Sequence, residues 1–336
     1  MSTANNFQQW MQAELGLTNA RIERELSGGN SNLTQLVSTD SRALVLRSAP
    51  AATISPKAHL GVQREARFMG ALHGSVKVPQ VLAWCESTDV LGYPFAVIEH
   101  VSGVSITDTM PAAYDNAESI NTLGRQLAES LASIAAAPWQ ELGLTDMGKP
   151  DRFLQRQVER WLDIRRGQPT RDLPEIERLG QWLLDNCPPA GPVGIVHGDF
   201  HLDNTLCSES QPTMLAVIDW EMATIGDPLA DLGLFLMFWG PRPLEKPGFA
   251  HVQAVTRREN VVARRELASI WAAASGLDIE QLDYYMCFAF WRLAAIVEGA
   301  YGLFLNGKVD TPYARGLEYD VPALLTEAAM AAQGEW

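Results

Sequence analysis

The chain is poor in cysteine, and its four cysteines show no paired spacing. Cys85, Cys187, Cys207 and Cys287 are scattered over 336 residues without a C-x-x-C pair. Closely spaced cysteines mark zinc and redox sites, and disulfide frameworks are typical of small secreted chains. The pattern predicts reduced thiols in a cytoplasmic protein and gives the cysteines no chemical role.

Positive charge is also scarce. The sequence has 26 Lys and Arg residues against 40 Asp and Glu residues, which gives a formal net charge of -14. A sequence-independent grip on a nucleic-acid backbone or on anionic lipid needs an excess of basic residues. We therefore expect neither a nucleic-acid partner nor a membrane partner.

The sequence contains no internal repeat, no low-complexity tract and no run of like charges. The first ten residues are polar and lack a basic region followed by an apolar stretch, so we expect no secretory signal. The apolar run from Leu232 to Trp239 is too short to span a bilayer.

The length and the apolar pattern divide the chain into two unequal parts. Single cores stop growing near about 250 to 300 residues, so a chain of 336 residues favours two lobes. The first part contains short alternating segments, and it ends near residues 99–103. Its predicted helices cover residues 7–17 and 56–72, and its predicted strands cover residues 21–26, 33–37, 43–47, 81–84 and 95–98.

The second part is predicted to be mainly helical. Candidate helices cover residues 117–136, 151–165, 174–186, 260–275 and 282–305. The proline-rich stretch 239–247 can hold neither helix nor strand, and we take it as a candidate substrate-side loop. The prediction is an α+β chain, with a small antiparallel sheet lobe and one main helix in residues 1–101 and a larger helical lobe in residues 102–336.

Two apolar runs, each predicted to be a strand, lead into polar motifs. The first precedes the segment HGDFHLDN, which runs from His197 to Asn204, and the second precedes Asp219. Phosphoryl transfer needs an acceptor hydroxyl held in line and a metal ion that neutralises phosphate charge. At this spacing Asp199 can accept the proton of the hydroxyl, while Asn204 and Asp219 can offer oxygen ligands to Mg²⁺. The motifs therefore predict the two halves of a phosphoryl-transfer site.

With these motifs, the chain resembles the aminoglycoside phosphotransferase and choline kinase-like family of small-molecule kinases over most of its length. The segments SGGNSNLT at residues 27–34 and LVLR at residues 44–47 are most similar to the branch that includes kinase domains fused to acyl-CoA dehydrogenases. The resemblance implies a protein-kinase-like fold that clasps ATP or GTP between its lobes. It also implies phosphorylation of a hydroxyl on a small molecule, with residues 1–101 binding the nucleotide.

The resemblance also implies roles for single residues. Asp199 matches the catalytic aspartate, and Asn204 and Asp219 match the metal ligands. Glu65 matches the helix glutamate that pairs with a phosphate-contacting cation, which is Arg47 in this chain. The other implied nucleotide contacts are Gly28, Gly29, Ser31 and Asn32 in the glycine turn and the hinge from Glu99 to Val101, which meets adenine.

Two positions depart from the pattern of protein kinases. Arg47 stands where most kinases have lysine, and arginine can grip phosphate in a forked way. We expect Arg47 to contact the α and β phosphates and to be held by Glu65. Asp219 is followed by Trp220 and Glu221 instead of Phe-Gly, so we expect no activation loop that phosphorylation switches.

Two other functions stay open at this point. The missing lysine suggests a catalytically inactive nucleotide-binding module. The spacing of His197 and His201 around Asp199 suggests a metal-dependent hydrolase, because imidazole and carboxylate groups bind transition metals. No second closely spaced histidine pair completes a metal shell, which makes hydrolysis the weaker alternative.

The polar neighbours of the motifs have structural explanations. We expect His197 to brace its loop, and we take Asp227 and Asp231 as structural supports, since Asp before Pro commonly starts a turn or caps a helix. His201 receives no role. The acceptor is predicted to be a small alcohol, with a hydroxylated acyl compound or another metabolic alcohol favoured over an antibiotic, and the oligomeric state stays open.

Overall fold

An antiparallel sheet of five strands begins the fold, and helices dominate the rest. The computed structural model describes residues 3–26, 32–49, 59–168, 170–189 and 191–336. The strands lie in the order β1-β2-β3-β5-β4. They are β1 (Arg21–Glu25), β2 (Leu33–Ser38), β3 (Ala43–Ser48), β4 (Val81–Cys85) and β5 (Phe95–Glu99), and the helices beside them are α1 (Thr3–Leu15) and α2 (His59–Leu72). The predicted α+β, kinase-like class is confirmed.

The alternation of side chains along β3 explains why both faces of the sheet are covered. Leu44 and Leu46 pack into one cluster with Phe7 of α1. Val45 belongs to another cluster, together with Val62 of α2. Because successive side chains of a strand point to opposite faces, Arg47 shares the face of Val45 and is directed towards α2.

The second part of the chain combines seven helices with two small two-stranded sheets among the described residues. β6 (Gly194–Val196) pairs with β9 (Thr224–Gly226), and β7 (Thr205–Cys207) pairs with β8 (Met214–Val217), both antiparallel. The helices are α3 (Ala117–Ala135), α4 (Phe153–Gly167), α5 (Pro174–Asp185), α6 (Leu229–Phe238), α7 (Arg264–Ser275), α8 (Leu282–Leu305) and α9 (Pro312–Ala331).

Four helices differ from the sequence-based expectation. Helix α1 covers Thr3–Leu15, whereas residues 7–17 were predicted. Helix α7 begins at Arg264 and not at residue 260, because Asn260 has a left-handed φ of 63° and the N–H of Val262 donates to Asn121 Oδ1. Helix α9 contains Pro322, a residue that normally ends a helical pattern, and was not predicted. Helix α6 is buried on every side and therefore lacks the amphipathic period that would identify it.

Helix α8 is long and apolar enough to cross a bilayer by length and composition. Of its most apolar 18-residue window, 56% is buried inside the protein. Tyr285, Phe288 and Trp291 on this helix belong to the main hydrophobic core. Its apolar character is therefore explained by its central place in the helical part.

Polar contacts join the sheet part to the helical part. Arg64 on α2 donates from Nη1 to the carbonyl oxygens of Met147 and Ala223, both at 2.8 Å. The N–H of Val217, at the end of β8, donates to the carbonyl oxygen of Lys77 in the sheet part at 2.8 Å. These contacts fix the two parts on either side of the motif residues, while the proposed lobe boundary after residue 101 stays a prediction.

Candidate active site

The loop of the HGDFHLDN motif, the predicted catalytic loop, begins where the buried strand β6 ends. Gly198 follows with a φ of 88°, a conformation that L side chains rarely adopt. A Cβ atom at this position would lie 2.8 Å from the carbonyl oxygen of Met222. Only glycine therefore lets the chain turn here against the segment after β8 and present Asp199 to the cleft.

His197 is a brace for this loop, as the sequence analysis expected. It is fully buried, and its ring lies 4.5 Å from the ring of Trp220 between centroids. Nε2 bonds to the carbonyl oxygen of Ile218 at 3.0 Å, and Nδ1 accepts from the N–H of Asp199 at 3.3 Å. Burial lowers the pKa of His197 to about 4, so the ring is neutral and both of its nitrogens are engaged by backbone.

Asp231 on α6 holds the backbone of this loop through two hydrogen bonds. Its Oδ1 accepts from the N–H of Gly198 at 2.9 Å, and its Oδ2 accepts from the N–H of His197. Burial raises the pKa of Asp231 to about 7, although these two bonds favour the ionised form. The carboxylate satisfies two backbone donors that the turn would otherwise leave buried and unpaired.

The side chain of Asp199 is held by two polar neighbours. Asn204 Nδ2 donates to its Oδ2 at 2.9 Å and to its carbonyl oxygen at 2.8 Å. His201 Nε2 lies 3.3 Å from Oδ1, and the His201 ring lies 5.3 Å from that of Phe238. Burial would raise the pKa of Asp199, but the hydrogen bond and charge of His201 outweigh it and lower the pKa to about 2. His201, for which no role was predicted, is thus a direct partner of the predicted catalytic carboxylate.

The hairpin of β7 and β8 brings Asn204 and Asp219 together. Thr205 pairs with Val217, and the N–H of Ile218 donates to the carbonyl oxygen of Asn204 at 2.9 Å. Asn204 and Asp219 therefore leave the same end of the hairpin. Asp219 adopts a left-handed conformation with a φ of 66°, which is strained for a residue with a side chain.

Arg47 and Glu65 form a buried ion pair on the opposite side of the cleft. Arg47 donates to Glu65 Oε2 from Nε at 3.0 Å and from Nη2 at 2.8 Å. Its Nη1 bonds to the hydroxyl of Thr34, and its Nη2 lies 3.4 Å from Asp219 Oδ1. Burial opposes the charge of Arg47, but Glu65 and Asp219 raise the pKa of the guanidinium above its usual value. Arg47 thus connects the sheet part to the motif after β8.

The remaining predicted nucleotide residues divide into two groups. Gly28, Gly29 and Ser31 lie outside the described residues. Asn32 donates to Glu221 Oε2 at 2.8 Å, which places the end of the glycine turn against the motif of Asp219. Glu99 ends β5, and Val101 follows in irregular backbone that leads to the bridge between Val104 and Cys207.

The donor set of the hairpin end fits Mg²⁺. Since Asn204 uses Nδ2 towards Asp199, its Oδ1 is turned the other way, and Asp219 keeps a third of its side chain exposed. Carboxylate and amide oxygens are hard ligands, and Mg²⁺ usually combines one or two of them with water and phosphate oxygens. Asn204 and Asp219 are therefore suited to hold it.

The hydrolase hypothesis has less support. Within the described part of the chain, no group of three or more His, Cys, Asp or Glu side chains is arranged to hold a metal ion. Both ring nitrogens of His197 are already engaged by backbone. A site of histidine ligands around Asp199 is thus not formed.

Comparison with known sequences supports the resemblance to small-molecule phosphotransferases. A model of the phosphotransferase enzyme family matches residues 23–267. The chain is 34% identical over 292 residues to acyl-CoA dehydrogenase family member 10 of Mus musculus, which is 85% of this chain and 27% of that protein. It is 32% identical over 287 residues to acyl-CoA dehydrogenase family member 11 of Rattus norvegicus, covering 83% and 36% respectively. The chain spans about a third of the length of these curated relatives.

Solved structures give the same fold. A candidate aminoglycoside phosphotransferase from Ralstonia eutropha superposes with a TM-score of 0.83 at 26% identity, over 98% of both chains. The GDP complex of aminoglycoside 2'-phosphotransferase-IIIa superposes with a TM-score of 0.64 at 16% identity, over 98% of this chain and 99% of that one. At its low identity, the second likeness shows the fold alone.

Proposed function

This chain belongs to the phosphotransferase enzyme family, and from that premise we propose that it transfers the γ-phosphoryl group of ATP or GTP, with Mg²⁺, to a hydroxyl of a small molecule. The family and the branch that the sequence predicted are confirmed. One observation supports the proposed reaction, transfer of the γ-phosphoryl group with Mg²⁺ to a hydroxyl. Asp199, Asn204, Asp219 and Arg47 converge on one cleft, linked by contacts of 2.9 Å from Asn204 to Asp199 and 3.4 Å from Arg47 to Asp219.

Asp199 is the group that acts on the acceptor in this proposal. An ionised carboxylate accepts hydrogen bonds only, so it can orient a hydroxyl and take up its proton as the bond to phosphorus forms. Asn204 and His201 fix the orientation of the carboxylate through the bonds to its two oxygens. The clamp from Asp231 to Gly198 fixes the backbone of the loop.

Asn204 and Asp219 would hold Mg²⁺, which neutralises charge on the transferring phosphate when it is bound. Arg47 would contact the α and β phosphates, and Glu65 would keep its guanidinium in place. Gly28, Gly29, Ser31 and Asn32 would meet the phosphates, and Glu99 to Val101 would meet the base. The solved complexes of fold neighbours with GDP and with AMP-PNP support a nucleoside triphosphate as donor.

The acceptor proposed here is a small alcohol. The curated relatives are named for acyl-CoA dehydrogenases, which favours a hydroxylated acyl compound or another metabolic alcohol. A ternary complex of a fold neighbour contains hygromycin B, so an antibiotic is the competing acceptor class. The net charge of -14 and the free cysteines support a cytoplasmic setting without nucleic-acid or membrane partners.

Two assays on one preparation test the function. Thermal unfolding is followed with ATP or GTP and Mg²⁺, and ADP or GDP release is followed over a panel of hydroxylated metabolites and antibiotics. A raised Tm together with acceptor-dependent release supports the proposal. A raised Tm without turnover on any acceptor would favour the inactive nucleotide-binding module instead.

A further inference from the structure

Arg292 on α8 is a half-buried arginine without a partner. Among the described residues, no hydrogen bond or ion pair reaches its guanidinium, and its Nε is buried without an acceptor. The two Nη groups keep contact with solvent. A guanidinium carries five donors and is always charged in proteins, so a buried Nε without an acceptor is costly, and within the described part of the chain the two Nη groups have no partner but solvent.

The surroundings place this guanidinium beside the catalytic loop. The charges of Asp231 and Asp199 act on it and oppose the burial that lowers the pKa of Arg292. Neither carboxylate is close enough to form an ion pair with it. Asp231 is already engaged by the N–H groups of His197 and Gly198, and Asp199 by Asn204 and His201. Both carboxylates are therefore committed to other donors, and the solvent-facing Nη groups of Arg292 are free to bind an outside anion.

The neighbouring helix α4 adds positive charge on the same side. Arg160 repels Arg292 electrostatically. Arg165 has buried Nε and Nη1 atoms without partners, and its Nη2 would lie 3.0 Å from a Cβ at Gly299 of α8. Glu298, the acid whose charge acts on Arg165, forms an ion pair with Arg171 at 3.0 Å. Among the described residues, Arg292 and Arg165 are thus two arginines between α4 and α8 without a paired acid, in a chain with a net charge of -14.

We propose that Arg292 binds an anionic group of the acceptor, a carboxylate or a phosphate, and thereby selects acidic hydroxy compounds over aminoglycosides. The inference rests on the proposed function, since it assumes that the hydroxyl of the acceptor meets Asp199. An acceptor held at both points has its hydroxyl oriented before the reaction. A polycationic aminoglycoside would instead meet Arg292 as a like charge, which selects against it.

Matched acceptor pairs test this directly. Hydroxycarboxylic acids of increasing chain length are compared with their neutral amides, and hydroxyalkyl phosphates form a second arm that separates phosphate from carboxylate recognition. Kanamycin serves as the cationic acceptor. Phosphorylation is measured for the wild type, Arg292→Gln, Arg292→Lys and the matched control Arg178→Gln, whose arginine is exposed and pairs with Glu175. Thermal shifts with each compound and Mg²⁺-ADP are recorded in parallel.

We expect the wild type to prefer one anionic arm over the amides by about ten- to a hundredfold in kcat/KM, the range for a hydrogen bond to a charged group. Arg292→Gln should lose this preference while the KM for ATP stays within about twofold, Arg292→Lys should recover part of it, and Arg178→Gln should keep it. The inference is overturned if amides or kanamycin serve as well as anions, if Arg292→Gln keeps the preference, or if neither turnover nor Tm responds more to anions than to amides. ADP release with neutral acceptors alone would reject the role of Arg292 and leave the proposed function standing.

Discussion

Replacing Glu65 by Gln tests the ion pair that joins the sheet to the catalytic cleft. Glu65 is 3% exposed and Arg47 is 9% exposed, and two donors of Arg47 reach one oxygen of Glu65 at 2.8 and 3.0 Å. Removing one partner of a buried pair leaves the other charge uncompensated, which costs about 3 to 5 kcal/mol. Because Asp219 lies 3.4 Å from the guanidinium and partly replaces the lost charge, we expect the lower end, about 3 kcal/mol.

The assay is urea unfolding followed by fluorescence, together with the KM for ATP. In the Glu65→Gln variant the guanidinium of Arg47 is free to turn towards Asp219, so we also expect the KM for ATP to rise about tenfold. Asp146→Asn is the matched control, since it removes the carboxylate partner of Arg67 in a pair of the same length, 2.8 Å, that is exposed. Exposed pairs contribute little to stability.

The two variants should therefore differ clearly in unfolding free energy. If Glu65→Gln lowered the free energy of unfolding no more than Asp146→Asn does, the buried pair would not be a stabilising link. If stability fell but the KM for ATP did not change, Arg47 would be structural and would have no part in binding phosphate.

Three further changes probe the loop and its supports. Gly198→Ala should lower stability by about 2 to 3 kcal/mol, because the φ is 88° and the new Cβ would meet Met222 O at 2.8 Å, while Gly74→Ala, with a φ of 92° and open space, should cost about 1 kcal/mol in the same thermal unfolding assay; equal losses would reject the steric argument. Asp231→Asn leaves one of two backbone N–H groups without an acceptor, so we expect kcat to fall by about tenfold or more at an unchanged KM for ATP, and an unchanged kcat would contradict the clamp. Burial raises the pKa of Asp227 from 3.8 to about 6, so between these pH values the folded state binds the proton more tightly than the unfolded state. The free energy of unfolding should therefore fall by about 3 kcal/mol as the pH rises through that interval. Asp227→Asn should remove this slope in urea titrations, and identical pH slopes for the two proteins would refute it.

The parts of the site that the sequence predicts are those with a local signal. Alternating apolar and polar residues identify β2 and β3, which pair as antiparallel neighbours. The same alternation directs Arg47 towards α2. The motif from His197 to Asn204 and Asp219 is short and regularly spaced, so its residues could be named before the structure. Their chemical roles remain predictions.

The parts that the sequence does not predict depend on contacts between distant segments. Asp231 lies in a helix that is buried on every side, so its hydrogen bonds to the catalytic loop have no periodic signal. Arg292 stands in the apolar run FAFWRLAAIV, where periodicity indicates only a core helix. A lone arginine in an apolar run is a usable signal, because a charge in such a place needs a partner. For His201, the bond to Asp199 arises from the turn that Gly198 makes.

Transfer of labelled γ-phosphate from ATP to an acceptor, by the wild type and by Asp199→Asn, tests the central claim most directly. The acceptor panel and Mg²⁺ are those of the ADP-release assay, and the labelled product is separated from ATP and inorganic phosphate. The account predicts labelled product with the wild type and none with Asp199→Asn, while ATP raises the Tm of both proteins to a similar extent, because the carboxylate acts on the acceptor and not on the nucleotide. Full transfer by Asp199→Asn would contradict the assignment of Asp199 as the group that accepts the proton of the acceptor.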